Sequence, residues 1–198
     1  MKIYNTLEQG TQEWFDVKVG KFSASDASKI GNNGKGLETL VWEKAEELVT
    51  GKIKEIYQND RMKWGIKYEP KARIAYEFET GNVVKEVGFI ERDKYSGCSP
   101  DGLVGDDGGV EFKCPSLKVF YEFMQTRKIN PAYMWQMQMN LLISEREWWD
   151  YGVYHPHFKK KLIIQRVERD EEKIEKLRVG LEKGISLLEE ILEKTNVK

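Results

Sequence analysis

The chain has 198 residues, 40% of them hydrophobic and 33% charged, with a formal net charge of −1. That length fits one domain able to bury about 70% of its unfolded surface, and no apolar run approaches the ~20 residues of a membrane span. Cys98 and Cys114 are too few for a disulfide framework, so two buried thiols in a reducing cytoplasm are expected, and the opening Met1-Lys2-Ile3-Tyr4-Asn5 has no apolar signal region.

In chain order, Thr11 predicts the cap of a short helix with Trp14 and Val17 on its inner face. Gly20 to Asp26 reads as a turn leading into a Ser/Asp-capped helix near residues 25–30. Backbone N–H groups at that helix start, the Ser25 hydroxyl and the Lys18 ammonium would form an anion pocket. The plain alternatives are an ordinary N-cap and a solvated lysine. Gly31 to Gly36 predicts a flexible loop. Leu37, Leu40, Val41, Ala45 and Leu48 then recur at helical spacing, and Thr50-Gly51 ends that helix.

Asn59-Asp60 caps the next helix, along which Trp64, Tyr68, Ala72 and Tyr76 lie four apart, with Glu69 in the middle. An exposed Glu69 would pair with Arg73 at i+4, and Pro70 predicts a kink or restart. From the residues alone, Met62 reads as core. The stretch 52–73 holds Lys52, Lys54, Arg61, Lys63, Lys67, Lys71 and Arg73, whereas 168–194 is rich in Glu. A near-neutral total argues mildly against nucleic acid, but a basic face with an acidic back fits DNA held on one side.

Residues 82–91 alternate weakly and predict one strand. Pro100-Asp101-Gly102 is a turn signal, Gly105 to Gly109 a tight reversal, and Val110 to Cys114 a short strand that Pro115 ends. The result is a β-hairpin with one carboxylate on each arm. Strand alternation puts Glu111 and Lys113 on one face, with Val110, Phe112 and Cys114 on the other. Apolar segments on both sides would bury them, and a buried Glu and Lys need each other or a metal. Two such carboxylates suit a hard cation, Mg²⁺ or Mn²⁺. A bare Asp…Glu-x-Lys is common by chance, and an exposed hairpin is its plain reading.

Leu117 to Lys128 predicts a helix with Phe120, Phe123 and Met124 facing inward. Asn130-Pro131 opens another, dense in apolar and amide groups, with Gln136 and Asn140 on one face. Alone, this reads as a core helix with an amide edge. Trp148–Tyr154 and Leu162–Val167 are two strands. In their connection, His155 and His157 are a weak zinc signal, and Lys159–Lys161 is a solvated turn or a DNA-backbone contact. Residues 170–194 form one long helix with an apolar stripe of Ile174, Leu177, Leu181, Ile185, Leu188 and Leu192. That stripe packs on the body or on a neighbouring subunit.

The strings Ser99-Pro100-Asp101-Gly102-Leu103 and Gly109-Val110-Glu111-Phe112-Lys113-Cys114-Pro115, with Glu8 to Asp26 and Trp64 to Arg73, resemble the bacteriophage lambda exonuclease family. These are the YqaJ-type viral recombinases of the PD-(D/E)XK nuclease superfamily. The resemblance implies an α/β restriction-endonuclease-like core, a central mixed sheet flanked by helices, in one domain over 1–198. It implies a Mg²⁺-dependent 5′→3′ exonuclease, with Mn²⁺ able to substitute and two ions per site. Asp101, Glu111, the Phe112 carbonyl and Glu69 would bind metal, Lys113 would position the attacking water, and Gln136 would hold that water or the phosphate. Lys18, an Arg in the family, and Ser25 would bind the 5′-phosphate, and Met62 would wedge apart the DNA end. Implied partners are double-stranded DNA ends, two further copies in a trimeric ring, and a single-strand annealing protein; no membrane is involved. A PD-(D/E)XK endonuclease and a catalytically silent DNA-end-binding protein remain as rivals. An iron–sulfur nuclease lacks its four cluster cysteines here.

Overall fold

In a computed structural model, which describes residues 1–53 and 59–195, strands and helices are interleaved along the chain. Lys54 of the basic run lies outside the described residues. The N-terminal third comprises β1 (Lys2–Tyr4), α1 (Gln12–Lys18), β2 (Phe22–Ser23), a 3₁₀ turn (Ala24–Asp26), α2 (Ala27–Asn32) and α3 (Lys35–Thr50). Next come α4 (Asp60–Thr80), β3 (Val84–Lys85), β4 (Phe89–Asp93), β5 (Ser96–Cys98), β6 (Gly102–Val104) and β7 (Gly108–Lys113). The remainder is α5 (Leu117–Thr126), α6 (Pro131–Ser144), β8 (Trp148–Tyr154), β9 (Leu162–Glu168) and α7 (Glu171–Lys194).

Two mixed sheets result, ordered β1-β4-β5-β2 and β3-β6-β7-β8-β9. The expected single strand over 82–91 is two, β3 and β4, and they belong to different sheets. The turn between them brings Gly88 against the Tyr4 carbonyl, which accepts its N–H at 2.9 Å. The expected loop at 31–36 shrinks to Asn33, left-handed at φ 49°, and Gly34, because α2 runs to Asn32 and α3 starts at Lys35. Helix α4 continues through Pro70. Proline removes the N–H that would bond the Ile66 carbonyl, but Ile66 and Pro70 both lie on the exposed side, where water can take that carbonyl.

The five-stranded sheet is covered on both faces. On one, Ala72 and Tyr76 of α4 pack on Val110 and Phe112 of β7 and on Tyr154 and Leu162. On the other, Trp149, Tyr151 and Val153 of β8 meet the larger core, built from α2, α3, α6 and α7. The α7 stripe packs on the body, with Ile174, Leu177, Leu181 and Leu188 buried. Gly180 is the reason α7 can lie on α2, since a Cβ there would stand 2.2 Å from the Ile30 carbonyl oxygen.

Candidate active site

In the β6–β7 hairpin Gly102 pairs with Val110, which sets Asp101 across from Glu111. Asp101 Oδ2 accepts the Phe112 N–H at 2.6 Å. Glu111 is 1% exposed, and its Oε1 accepts from Lys113 Nζ at 2.5 Å and from Gln136 Nε2 at 2.8 Å. Asn140 Nδ2 stands 3.5 Å from Glu111 Oε2. The alternation expected from the sequence holds: Val110 and Phe112 turn toward α4, while Glu111 and Lys113 turn toward α6. The Lys113 ammonium also lies 4.8 Å from the Tyr133 ring centre. Behind the site, Asp150 on β8 ties the layers together. It accepts from Tyr76 Oη at 2.7 Å and from Arg166 Nε and Nη2 at 2.9 and 3.0 Å.

Charge is concentrated here. Burial, then Glu111 and Glu69, hold the Asp101 carboxyl well above the usual carboxylate range. Burial and Glu111 push Glu69 up as well. Burial alone would lower Lys113, but Glu111 and Asp101 beside it raise it instead. Glu69 thus interacts with the charges of Glu111 and Lys113, and its expected i+4 partner Arg73 pairs with Glu86. Three carboxylates against one ammonium leave a local excess of negative charge. A divalent cation compensates such an excess, and every donor is a hard oxygen. As the side chains stand, no three His, Cys, Asp or Glu groups among the described residues converge on one ion position. Asp101 and Glu111 instead direct oxygens at Phe112, Lys113 and Gln136. The donor set thus fits Mg²⁺ or Mn²⁺ in chemistry.

Lys18, the cation expected in an anion pocket, is the last residue of α1. Thr11 caps that helix as expected, its side chain accepting from the Trp14 N–H. The Lys18 ammonium stacks on the Trp14 ring, 3.6 Å from its centre. Burial, partly offset by Asp26, lowers the Lys18 pKa to about 8. Lys18 is therefore not a freely solvated lysine. The same indole donates Nε1–H to Ser99 Oγ at 3.0 Å and to the Gly88 carbonyl at 2.9 Å, and Gln9 Nε2 donates to the Pro100 carbonyl at 3.1 Å. The N-terminal segment thus braces the loop that carries Asp101.

Ser25 is exposed but is not the cap. Asp26 is the N-cap residue of α2 and Ser23 that of the 3₁₀ turn before it; the Ser23 N–H and Oγ both donate to Asp26 Oδ2 at 3.0 Å, and Ser25 Oγ lies 2.8 Å from Ser23 Oγ. Met62 is 39% exposed, which sets aside its reading as core. It sits in the first turn of α4, roughly 10 Å of helix rise before Glu69. The expectation of two buried thiols holds for Cys98, whereas Cys114 is half-buried. His155 is 2% exposed and its Nδ1 accepts the His157 N–H at 3.3 Å. It packs among Phe120, Phe158 and Trp64, an ordinary aromatic core position. Asn140, Ser99, Trp14 and Gln9 are site residues to which the sequence reading gave no role. Asn140 shares the α6 face of Gln136, and Ser99 stands two residues before Asp101.

A family model described as the YqaJ-like viral recombinase domain matches residues 13–147. Among solved structures, an alkaline exonuclease from Laribacter hongkongensis, LHK-Exo, is 33% identical, with a TM-score of 0.86 over 94% of this chain and 96% of that one. LHK-Exo in complex with dAMP matches at the same identity with a TM-score of 0.81, over 94% and 98% of the two chains. A phage-related exonuclease from Haemophilus somnus 129PT, at 15% identity and a TM-score of 0.72 over 88% and 96% of the chains, shares the fold. No curated protein matched the sequence.

Proposed function

The chain belongs to the YqaJ-like viral recombinase domain family, and from that premise we propose that it is a Mg²⁺-dependent exonuclease of phage recombination. It digests one strand of linear double-stranded DNA in the 5′→3′ direction. The observation that carries this reading is the meeting of Asp101 and Glu111 across the hairpin, with Lys113 and Gln136 both bonded to Glu111.

Asp101 and Glu111, with the Phe112 carbonyl and Glu69, would hold one or two Mg²⁺ ions, for which Mn²⁺ can substitute. A bound ion would supply charge neutralisation at the scissile phosphate and a more acidic water. Lys113 holds its proton, so its role is to orient the attacking water and to stabilise charge developing on phosphorus. Gln136 aims an amide into the same space and positions that water or the phosphate. In-line attack at the phosphorus then breaks the P–O3′ bond and releases a 5′-phosphorylated mononucleotide. Lys18 and the exposed Ser25 hydroxyl take the terminal 5′-phosphate, and exposed Met62 meets the parting base pair.

The whole span 1–198 acts as one domain, in the cytoplasm, beside a single-strand annealing protein. Self-association into a trimeric ring is supported by α4, which leaves Ile66, Ile74 and Phe78 58%, 64% and 89% exposed. No helix among the described residues is long and apolar enough to cross a membrane.

The test is digestion of linear DNA labelled separately at the 5′ and 3′ ends, with and without a 5′-phosphate, in Mg²⁺ and in EDTA. Loss of the 5′ label first, only in Mg²⁺ and abolished by Asp101→Ala, is expected. Cleavage of closed circular DNA would favour the endonuclease rival, and binding without digestion the silent one.

A further inference from the structure

Lys18 is the cation of the anion pocket, yet it stands beside carboxylates that could capture it. Asp26 lies in the 3₁₀ turn after β2. Glu47 reaches across from α3 and accepts the Gly20 N–H at 3.0 Å, two residues after Lys18. Nevertheless, among the described residues Lys18 makes no salt bridge, and its ammonium rests on the Trp14 ring. A second lysine explains this. Lys44 and Glu47 are buried, at 8% and 7% exposure. Lys44 Nζ donates to Glu47 Oε1 at 2.9 Å and stands 3.9 Å from Asp26 Oδ2. Asp26 Oδ2 is also held by the Ser23 N–H and hydroxyl, and Ser23 Oγ contacts Ser25 Oγ at 2.8 Å.

We propose that Lys44 is a positioning residue for 5′-end recognition: it occupies Glu47 and Asp26, and so leaves the Lys18 ammonium unpaired for a terminal phosphate. The charge arithmetic supports this. Two carboxylates and two ammoniums share the cluster, and the buried ammonium is the one bonded to the carboxylates. Without it, two poorly solvated anions are left, and Lys18 already interacts with the charge of both. An ion pair there would compete directly with the ligand. Lys44 itself does not touch DNA, since its donors are directed at Glu47 and Asp26 inside the fold. The inference rests on the reading of Lys18 and Ser25 as the 5′-phosphate site.

The experiment measures binding of 5′-phosphorylated and 5′-hydroxyl duplex ends by fluorescence anisotropy in EDTA, where no turnover occurs. The wild type is expected to prefer the phosphorylated end. Lys44→Gln keeps a hydrogen-bond donor but removes the charge, and the preference should fall roughly tenfold or more. Lys44→Arg should retain it. Adding Glu47→Gln to Lys44→Gln should restore most of it, because the captor is removed together with its counter-ion. A Lys44 that contacts the phosphate would show no such restoration, and thermal melts of the same variants expose a merely structural role, in which preference falls and recovers only with Tm. Glu47→Gln alone, which leaves Lys44 in place with Asp26 3.9 Å away, should keep the preference, and its loss there in a folded protein overturns the proposal. A wild type that prefers phosphorylated ends alongside a Lys44→Gln protein that still does so sinks only the role of Lys44. A wild type indifferent to the phosphate overturns the pocket reading and this inference together.

Discussion

Asp150→Ala should destabilise the protein chiefly by stranding a tyrosine. Asp150 is 3% exposed and accepts the Tyr76 hydroxyl at 2.7 Å together with two Arg166 nitrogens. Arg166 is 46% exposed at its side chain, and its guanidinium stacks 3.5 Å from the centre of the Trp148 ring. Released from Asp150, it keeps that contact and regains water, so its part of the loss is small. Tyr76 is fully buried. Burial and the bond to Asp150 raise its pKa, so the group left behind is a protonated donor that has lost its carboxylate acceptor. An orphaned buried hydroxyl costs about 1–3 kcal/mol, and with the cavity the total is about 2–4 kcal/mol. For a chain of this size that is a fall in Tm of roughly 5–12 °C. Urea unfolding and a thermal scan measure it. Adding Tyr76→Phe removes the stranded donor and should recover about 1 kcal/mol or more. A single-variant loss below about 1 kcal/mol, or no recovery in the double variant, would refute the reasoning.

Lys113→Ala should lower turnover by on the order of 10²–10³-fold while leaving DNA binding in EDTA intact, read by single-turnover digestion. Because the Lys113 pKa is raised, any loss of activity between pH 8 and 10 should persist in Lys113→Arg and so belong to other groups. The Lys18 pKa is lowered to about 8, so its ammonium is present below that pH and lost above it. Preference for 5′-phosphorylated ends should therefore weaken as pH rises through 8, and a preference flat from pH 7 to 9.5 would count against Lys18. Gly180→Ala must push α7 off the Ile30 carbonyl and should cost about 1–3 kcal/mol in urea unfolding. In native protein, a thiol reagent should spare buried Cys98 and modify Cys114 only slowly, its pKa being pushed up to about 12 by burial and by Glu69.

The hairpin was the most legible part of the molecule, because a Pro-Asp-Gly turn, a glycine-rich reversal and strict strand alternation leave one geometry for Asp101, Glu111 and Lys113. The caps at Thr11, Asn59 and Asn130 were equally readable, since each side chain accepts a backbone N–H of its own helix. What could not be read was partnership over long sequence distances. Glu69 and Gln136 entered by resemblance, because nothing local says that a glutamate on α4 and an amide on α6 share a cavity with β7. The amides of α6 look alike in sequence, yet Gln136 bonds Glu111 while Gln138 bonds the Glu168 carbonyl and the Asp170 N–H. The split of residues 82–91 was hidden for the same reason. Its cause is that β4 pairs with β1 and β3 with β6, so neighbouring residues answer to different sheets.

The pairing of β1 with β4 joins Lys2 to Glu91, and α7 rests on α2 and α3. On a ribosome β1 therefore waits for β4, and α2 and α3 for α7, before they find their places. At about 5–20 residues per second of synthesis, that wait lasts on the order of ten seconds or more. For part of this time Glu111 stands without Gln136, which follows it in the chain. An interrupted translation product would accordingly carry the acidic triplet without the surroundings that arm it.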